Sequence, residues 1–364
     1  MTIETFQHMP ALVLNETEEF QLVDGSLIIP SYDLICKLDP YYNIDEGRFQ
    51  KSRPVFYYSI VDCDNSEKDF WISSFETTVK DLHLALSIEP GTHLLPTPTQ
   101  SISYIRVDSK TIIKGGAFQR DWMLYGNVWP AEFDLNALKK ANCIFDYLAD
   151  FHSIKTFEPL KKAIDVLNET ANVEFAYKGI GYDEYCLDYK FGFVRIVQLL
   201  ESILFADITK RFDLGITDSF GLYWSLLLEP DINMVPNTAI ELSTYYRLRS
   251  KLIHGESHLD FDSEVNRNKY LKCRFLFAHT IKILMILCKE KFSCFDKKYS
   301  TIDYLPWSDV KYKERDDIGK IMLNPLRRFL DKMLEDDGGK YKINEELFNE
   351  FHQFIQQKWN KIFS

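Results

Sequence analysis

The segment Tyr245–Gly255 reads YYRLRSKLIHG and closes a helix predicted over Thr238–His254. Gly255 stands where a left-handed C-cap favours glycine. Arg247, Arg249, Lys251 and His254 crowd the last turns of that helix. Cations there are favoured by the helix macrodipole, at about 0.3–1 kcal/mol each, so one reading of the segment is a plain basic helix end. The other reading is chemical. Arg249 and His254 are five residues apart, and at about 100° per residue they project about 140° apart around the helix. One helix alone therefore cannot close both side chains on a single target. The same spacing recurs at Arg274 and His279, in a far more apolar helix where His279 reads as a packed core or helix-face residue. Spacing does not separate the two pairs; context does.

On either side the pattern is helical. Tyr185–Asp207 (YCLDYKFGFVRIVQLLESILFAD) is apolar on most sides and is predicted to be a central buried helix. A short helix over Ser219–Leu228 is closed by Pro230, and Arg267–Lys291 is long with a strongly apolar centre, FLFAHTIKILMIL. Lys161–Ala171 adds a short amphipathic helix ahead of them. Beyond Ser293 the pattern fades until two helices near Asn324–Leu334 and Glu345–Ile362. Upstream, Asp134 is placed to cap a helix over Leu135–His152, in which Leu138, Ala141, Ile144, Phe145 and Leu148 recur at helical intervals.

The N-terminal part reads differently. In Glu19–Pro30 two apolar runs flank Asp24-Gly25, the pair expected of a type I′ hairpin turn. Pro54–Asp62 (PVFYYSIVD) and Asp69–Phe75 (DFWISSF) are aromatic and β-branched, which predicts a second hairpin. Ser101–Val107 and Thr111–Lys114 predict a third, turning at Asp108-Ser109-Lys110. Glu76–Ile88 carries a helical stripe of Val79, Leu82 and Leu86, and the proline-rich Pro90–Pro98 is a loop. The expected fold class is α+β: a strand-rich domain over 1–155, a helical domain over 156–292 and a helical C-terminal extension over 293–364.

Composition narrows the function. A chain of 364 residues exceeds the usual single domain. Its 46% hydrophobic and 27% charged content is that of a folded protein rather than a disordered one. Its 27 Phe and 20 Tyr suggest substantial cores or interfaces. No apolar run is long enough to span a bilayer, and MTIETFQHMP lacks the features of a secretory signal, so the expectation is a cytoplasmic protein with no membrane partner. Seven scattered cysteines without a CxxC suggest buried thiols, not a zinc site or a disulfide framework. A net charge of −11 argues against indiscriminate nucleic-acid binding by long-range attraction and leaves a local basic cleft open. Gly115-Gly116 sits in no nucleotide-binding frame, His83, His93 and His152 lack metal-ligand spacing, and there is no Gly-x-Ser-x-Gly elbow. No metal and no cofactor is expected.

With these flanks, YRLRSKLIHG resembles the Arg-x4-6-His motif of the HEPN superfamily, and in particular its Apea-like branch, where glycine directly follows the histidine. FVRIVQLLESILF resembles that branch's long helix with a glutamate near its middle, here Glu201. The resemblance covers about a third of the chain and says little about residues 1–150 or those beyond Ser293. It implies an all-helical domain that dimerises, and metal-independent RNA cleavage in which a 2′-hydroxyl attacks the neighbouring phosphorus. The products would be a 2′,3′-cyclic phosphate and a 5′-hydroxyl. Arg249 and His254 would be the catalytic pair. Imidazole exchanges protons near neutral pH, which suits His254 to proton transfer. A planar guanidinium suits Arg249 to the phosphate. A two-fold dimer would bring two arginines and two histidines to one cleft, which answers the angular problem.

Supporting roles are assigned to Ser250, Glu201 and Tyr245. Ser250 follows the arginine where many active members carry Asn, Asp or His, and so departs from the family pattern. Glu201 would orient His254 or Arg249, or else form a helix-capping or packing ion pair. Tyr245, with Tyr246, would stack a base or fill the core. Arg247 and Lys251 are candidate nucleic-acid contacts. Arg267, Lys269, Lys272 and Arg274 either extend a basic rim or form a solvated helix face.

The resemblance thus implies an RNA-cleaving homodimer of the defence or toxin type, with RNA as its partner. Its strand-rich domain would act as a sensor for an unidentified trigger or inhibitor. The alternative is a non-catalytic HEPN scaffold for dimerisation and binding, which Ser250 and the acidic net charge favour. A plain helical dimer with basic caps is the third reading.

Overall fold

The computed structural model describes residues 1–9, 12–14, 19–31, 55–89, 103–108, 111–115, 131–151, 163, 189–204, 212, 214–254, 264–290, 292 and 325–363. They divide into two compact units, one built from Met1–Ser153 and the other chiefly from Asp188–Ile362. The layout is α+β, with an antiparallel sheet in the first unit and mostly helices in the second.

The first unit contains strands β1 (Thr2–His8), β2 (Leu12–Leu14), β3 (Phe20–Gln21), β4 (Leu27–Pro30), β5 (Val55–Asp62), β6 (Ser103–Val107), β7 (Thr111–Gly115) and β8 (Ala131–Phe133). Its helices are α1 (Lys68–Ile88) and α2 (Leu135–Phe151). Six strands form one sheet in the order β3-β4-β5-β1-β6-β7, and β2 with β8 makes a short parallel pair. The polar-looking N-terminal segment is an interior strand, β1, antiparallel to both β5 and β6. Its charge is matched across the ladder: Glu4 stands opposite Arg106, 3.0 Å away. Phe6 stands opposite Tyr58 with ring centroids 4.8 Å apart.

Two expectations for this unit change. The hairpin predicted from Pro54–Asp62 and Asp69–Phe75 does not form, because Asp69–Phe75 lies within α1. Phe75 begins the stripe that continues through Val79, Leu82 and Leu86, all buried. Burying that 21-residue amphipathic surface against α2 outweighs the local strand preference of its first turns. The turn at Asp24-Gly25 is not type I′ either. Only Gly25 is left-handed (φ +83°), within a loop closed by the Leu22 amide on the Ser26 carbonyl at 2.8 Å. Asp24 instead accepts from the Ser26 amide at 3.0 Å and from the Tyr57 hydroxyl at 3.2 Å. The third predicted hairpin is present as β6–β7, and Asp134 caps α2 by accepting the Ala137 amide at 2.7 Å. Pro90–Pro98, Ser109-Lys110, Gly255 and, apart from Ala163, Lys161–Ala171 lie outside the described residues.

The second unit contains α3 (Tyr189–Leu204), α4 (Ile216–Leu228), α5 (Val235–Ile253), α6 (Glu264–Lys289), α7 (Pro325–Lys332) and α8 (Glu345–Phe363). Between the last two helices lies a hairpin of β9 (Leu334–Asp337) and β10 (Lys340–Ile343), turning on Gly338-Gly339 with both φ angles positive. Phe193, Phe220, Trp224, Tyr270 and Phe277 are fully buried. The Trp224 indole donates to the Thr280 hydroxyl at 2.9 Å, so the one polar atom of that ring is satisfied in the interior. No helix among the described residues is long and apolar enough to cross a membrane.

Helix α8 docks through titratable groups. His352 Nε2 donates to the Leu226 carbonyl at the end of α4, at 3.0 Å. Trp359 lies against His279, with ring centroids 4.7 Å apart, and against the Lys282 ammonium at 5.2 Å. Burial pulls both imidazoles down from the ordinary 6.5 to about 4; Lys282 and His352 add to the shift at His279, while the Leu226 bond and Glu229 partly oppose it at His352. Between pH 6.5 and 4 the unfolded chain therefore binds protons that the folded chain refuses. Their stabilisation is complete above 6.5, fades as the pH falls through 4, and is on the order of 3 kcal/mol for each histidine. Thermal melts from pH 7 to 4 should show a smaller fall for His279→Phe and for His352→Gln than for the wild type. Equal slopes in all three proteins would refute this.

Candidate functional site

Pro236 in the first turn starts α5, and the helix buries Val235, Ala239, Leu242, Tyr245 and Leu252 along one stripe. Arg249 lies seven residues after Leu242, two helical turns on, and therefore faces inward with them. Its side chain is only 18% exposed and meets Glu201 of α3, which is 25% exposed, through Nη2 and Oε2 at 3.1 Å. Tyr246, one turn before Arg249, donates from its hydroxyl to the other oxygen of Glu201 at 2.9 Å. The guanidinium lies 5.6 Å from the centroid of the Tyr246 ring. That ring rests on Phe220 of α4 at 5.3 Å. Burial, followed by the bond to Glu201, pushes the Tyr246 phenol above its ordinary range. Three residues on two helices thus make one polar knot at the edge of an apolar core.

His254 is elsewhere. It caps the C-terminal end of α5, its backbone amide donates to the Ser250 carbonyl at 3.0 Å, and its side chain is exposed. Among the described residues its ring has no hydrogen-bond or ion-pair partner. Within one chain the structure gathers Arg249, Glu201 and Tyr246, and leaves His254 outside that group. Ser250 is half-buried beside Arg249.

The other assigned residues are distributed by the same helix geometry. Tyr245 faces the core, 3% exposed, between Phe193 at 6.1 Å and Trp224 at 6.0 Å. Burial raises its phenol well beyond the ordinary range. A ring enclosed in this way presents no face to a base, and Tyr246 is the aromatic beside the arginine. Arg247 pairs with Asp218 in the first turn of α4 at 3.2 Å, both ends well exposed. Lys251 is exposed. Lys272 pairs with Glu241 across α5 and α6, and Arg274 is buried rather than part of a basic rim. The side chain of Arg267 lies outside the described residues, and Lys269 is exposed. Asp218 was not foreseen, since nothing in its local sequence marks it as a partner for α5. Tyr246 was foreseen only as a ring that stacks a base or fills the core, although its spacing of three from Arg249 is the signal for a shared helix face.

Comparison with known proteins returns no match to a protein-family model, a curated protein or a solved structure.

Proposed function

We propose that the helical unit is a HEPN-type ribonuclease that cleaves RNA without a metal, with Arg249 and His254 as its catalytic pair. It would act as a homodimer of the defence or toxin type, regulated through the strand-rich unit. The observation that carries the reading is the inward setting of Arg249. Arginines that merely answer a helix dipole lie in solvent, as Arg247 does. Arg249 is instead drawn from water onto a carboxylate and an aromatic ring. Desolvating a guanidinium is costly unless it is paired, and structures keep such groups where their placement matters. In the proposed mechanism Arg249 stabilises charge developing on the phosphate, and His254 moves the proton of the 2′-hydroxyl or of the leaving oxygen. The separation of the two side chains around α5 is the reason to place them in a cleft shared by two copies.

A second reading, the binding scaffold, draws on the ion pairs themselves. Glu201 offsets Arg249 and Asp218 offsets Arg247, so two of the cations suited to phosphate are already compensated.

Cleavage of end-labelled RNA in excess EDTA decides between them. The ribonuclease reading expects fragments ending in a cyclic phosphate; intact RNA, or cleavage that EDTA abolishes, would overturn it. Sedimentation equilibrium at micromolar protein should report twice the chain mass of 42.8 kDa, and a monomer would remove the shared cleft.

A further inference from the structure

Arg247, Lys251 and His254 share one face of α5. At about 100° per residue, the steps from Arg247 to His254 end about 20° short of two full turns, and Lys251 falls within about 60° of both. All three side chains are exposed, as is Thr244 one turn before Arg247. Arg249 points about 160° away from Arg247 and meets Glu201 instead. The chain as a whole is acidic, at −11, yet α5 carries no Asp or Glu between Glu241 and His254. Beyond His254 the next charged residues in sequence are Glu256, Asp260, Asp262 and Glu264, with no Lys or Arg before Arg267. The cations of this face therefore lie to one side of His254, toward the start of the helix. Further that way the exposed face turns apolar at Ile240.

We infer that an RNA strand lies along this face of α5, with the scissile phosphate between His254 and Lys251 and a neighbouring phosphate on Arg247. The cut rests on the ribonuclease reading above, whereas the phosphate track rests on the stripe itself. Along the axis Lys251 stands about 4.5 Å before His254 and Arg247 about 10.5 Å before it. Asp218, the partner of Arg247, lies two residues from Phe220, whose ring packs on Tyr246. That pairing keeps the guanidinium at the level of its own turn rather than beside His254, so Arg247 meets the next phosphate and not the scissile one. Both ends of the pair are well exposed, and such pairs are weak and screened by salt. A phosphate can therefore replace Asp218, and the planar fork of the arginine suits it.

Two tetranucleotides, deoxy except for one ribose at the first or the third position, place the remaining phosphates on opposite sides of the scissile bond. In excess EDTA the wild type should cut one of them about three- to fivefold more efficiently, through KM. Arg247→Ala should erase that preference, and Lys251→Ala should slow both substrates alike. Melting temperatures should not move in either variant, since both side chains are exposed. Affinity for the all-deoxy tetranucleotide should fall about three- to fivefold in Arg247→Ala and rise in Asp218→Asn. Asp218→Asn should have no effect on top of Arg247→Ala. Equal cutting of the two substrates by the wild type, or a preference that survives Arg247→Ala, overturns the proposal. If neither substrate is cut, the ribonuclease reading falls and the deoxy strand decides the track. Binding that follows Arg247 and Asp218 upholds it, and binding indifferent to both overturns it.

Discussion

Replacing His254 by alanine should, on the proposed ribonuclease reading, lower metal-independent RNA cleavage by about 10²–10⁴-fold, the range for loss of a proton-transfer group, with the melting temperature essentially unchanged. The thermal half of that expectation follows from the setting of the residue. Its side chain is exposed, and the cap bond to the Ser250 carbonyl uses the backbone amide, which alanine retains. Cleavage lost without a loss of stability is therefore chemistry and not folding. Arg249→Ala is the less clean probe. It strands a mostly buried carboxylate at Glu201 and removes the cation above Tyr246, so activity and stability fall together. Initial rates and melts measured on the same preparations separate the two cases. A His254→Ala protein that cleaves at the wild-type rate would end the catalytic assignment.

Gly221→Ala should destabilise the helical unit by about 3 kcal/mol or more, a fall of roughly 6–12 °C in melting temperature for a unit of this size. A β-carbon at residue 221 would lie 2.1 Å from the Ala239 carbonyl oxygen and 3.0 Å from Ser243 Cβ. The nearer obstacle is backbone, so no rotamer change relieves it, and α4 and α5 must move apart. Phe220, the neighbour of Gly221, carries the Tyr246 ring, so separating the helices also disturbs the setting of Arg249. Cleavage should fall with stability in this variant. Gly215→Ala is the control: an added carbon there meets nothing closer than Asp218 Oδ2 at 3.9 Å, and the backbone at that helix start is extended. Matching melts for the two variants would show that α4 and α5 are not packed as described.

The helices of the second unit were legible because their periodicity is long and their caps are local. Val235–Ile253 and Glu264–Lys289 each extend the predicted helix by three residues at the start. Shorter signals were less dependable. DFWISSF has the composition of a strand, and only the stripe that starts at Phe75 and runs on for three further turns makes it helix. Thr2–His8 mixes polar and apolar residues on both faces, since the partners that justify Glu4 and Gln7 lie on strands far along the chain. The aspartate-glycine pair at 24–25 suggested a two-residue turn that Asp24 does not make. Gly338-Gly339 makes one and was overlooked, because the strand before it, LEDD, is too acidic to read as β. At the candidate site, helical spacing was enough to separate His254 from Arg249 around α5. It could not show that Glu201 is divided between Tyr246 and Arg249, because that depends on how α3 lies against α5.

The bond between Leu226 and His352 also has a consequence in time. The two residues are 126 positions apart, and a ribosome adding roughly 5–20 residues per second needs about 6–25 s to travel from one to the other. Throughout that interval α4 has been made and the helix that docks on its end has not. The nascent chain must be shielded over that surface, or it risks pairing with a neighbour on the same message.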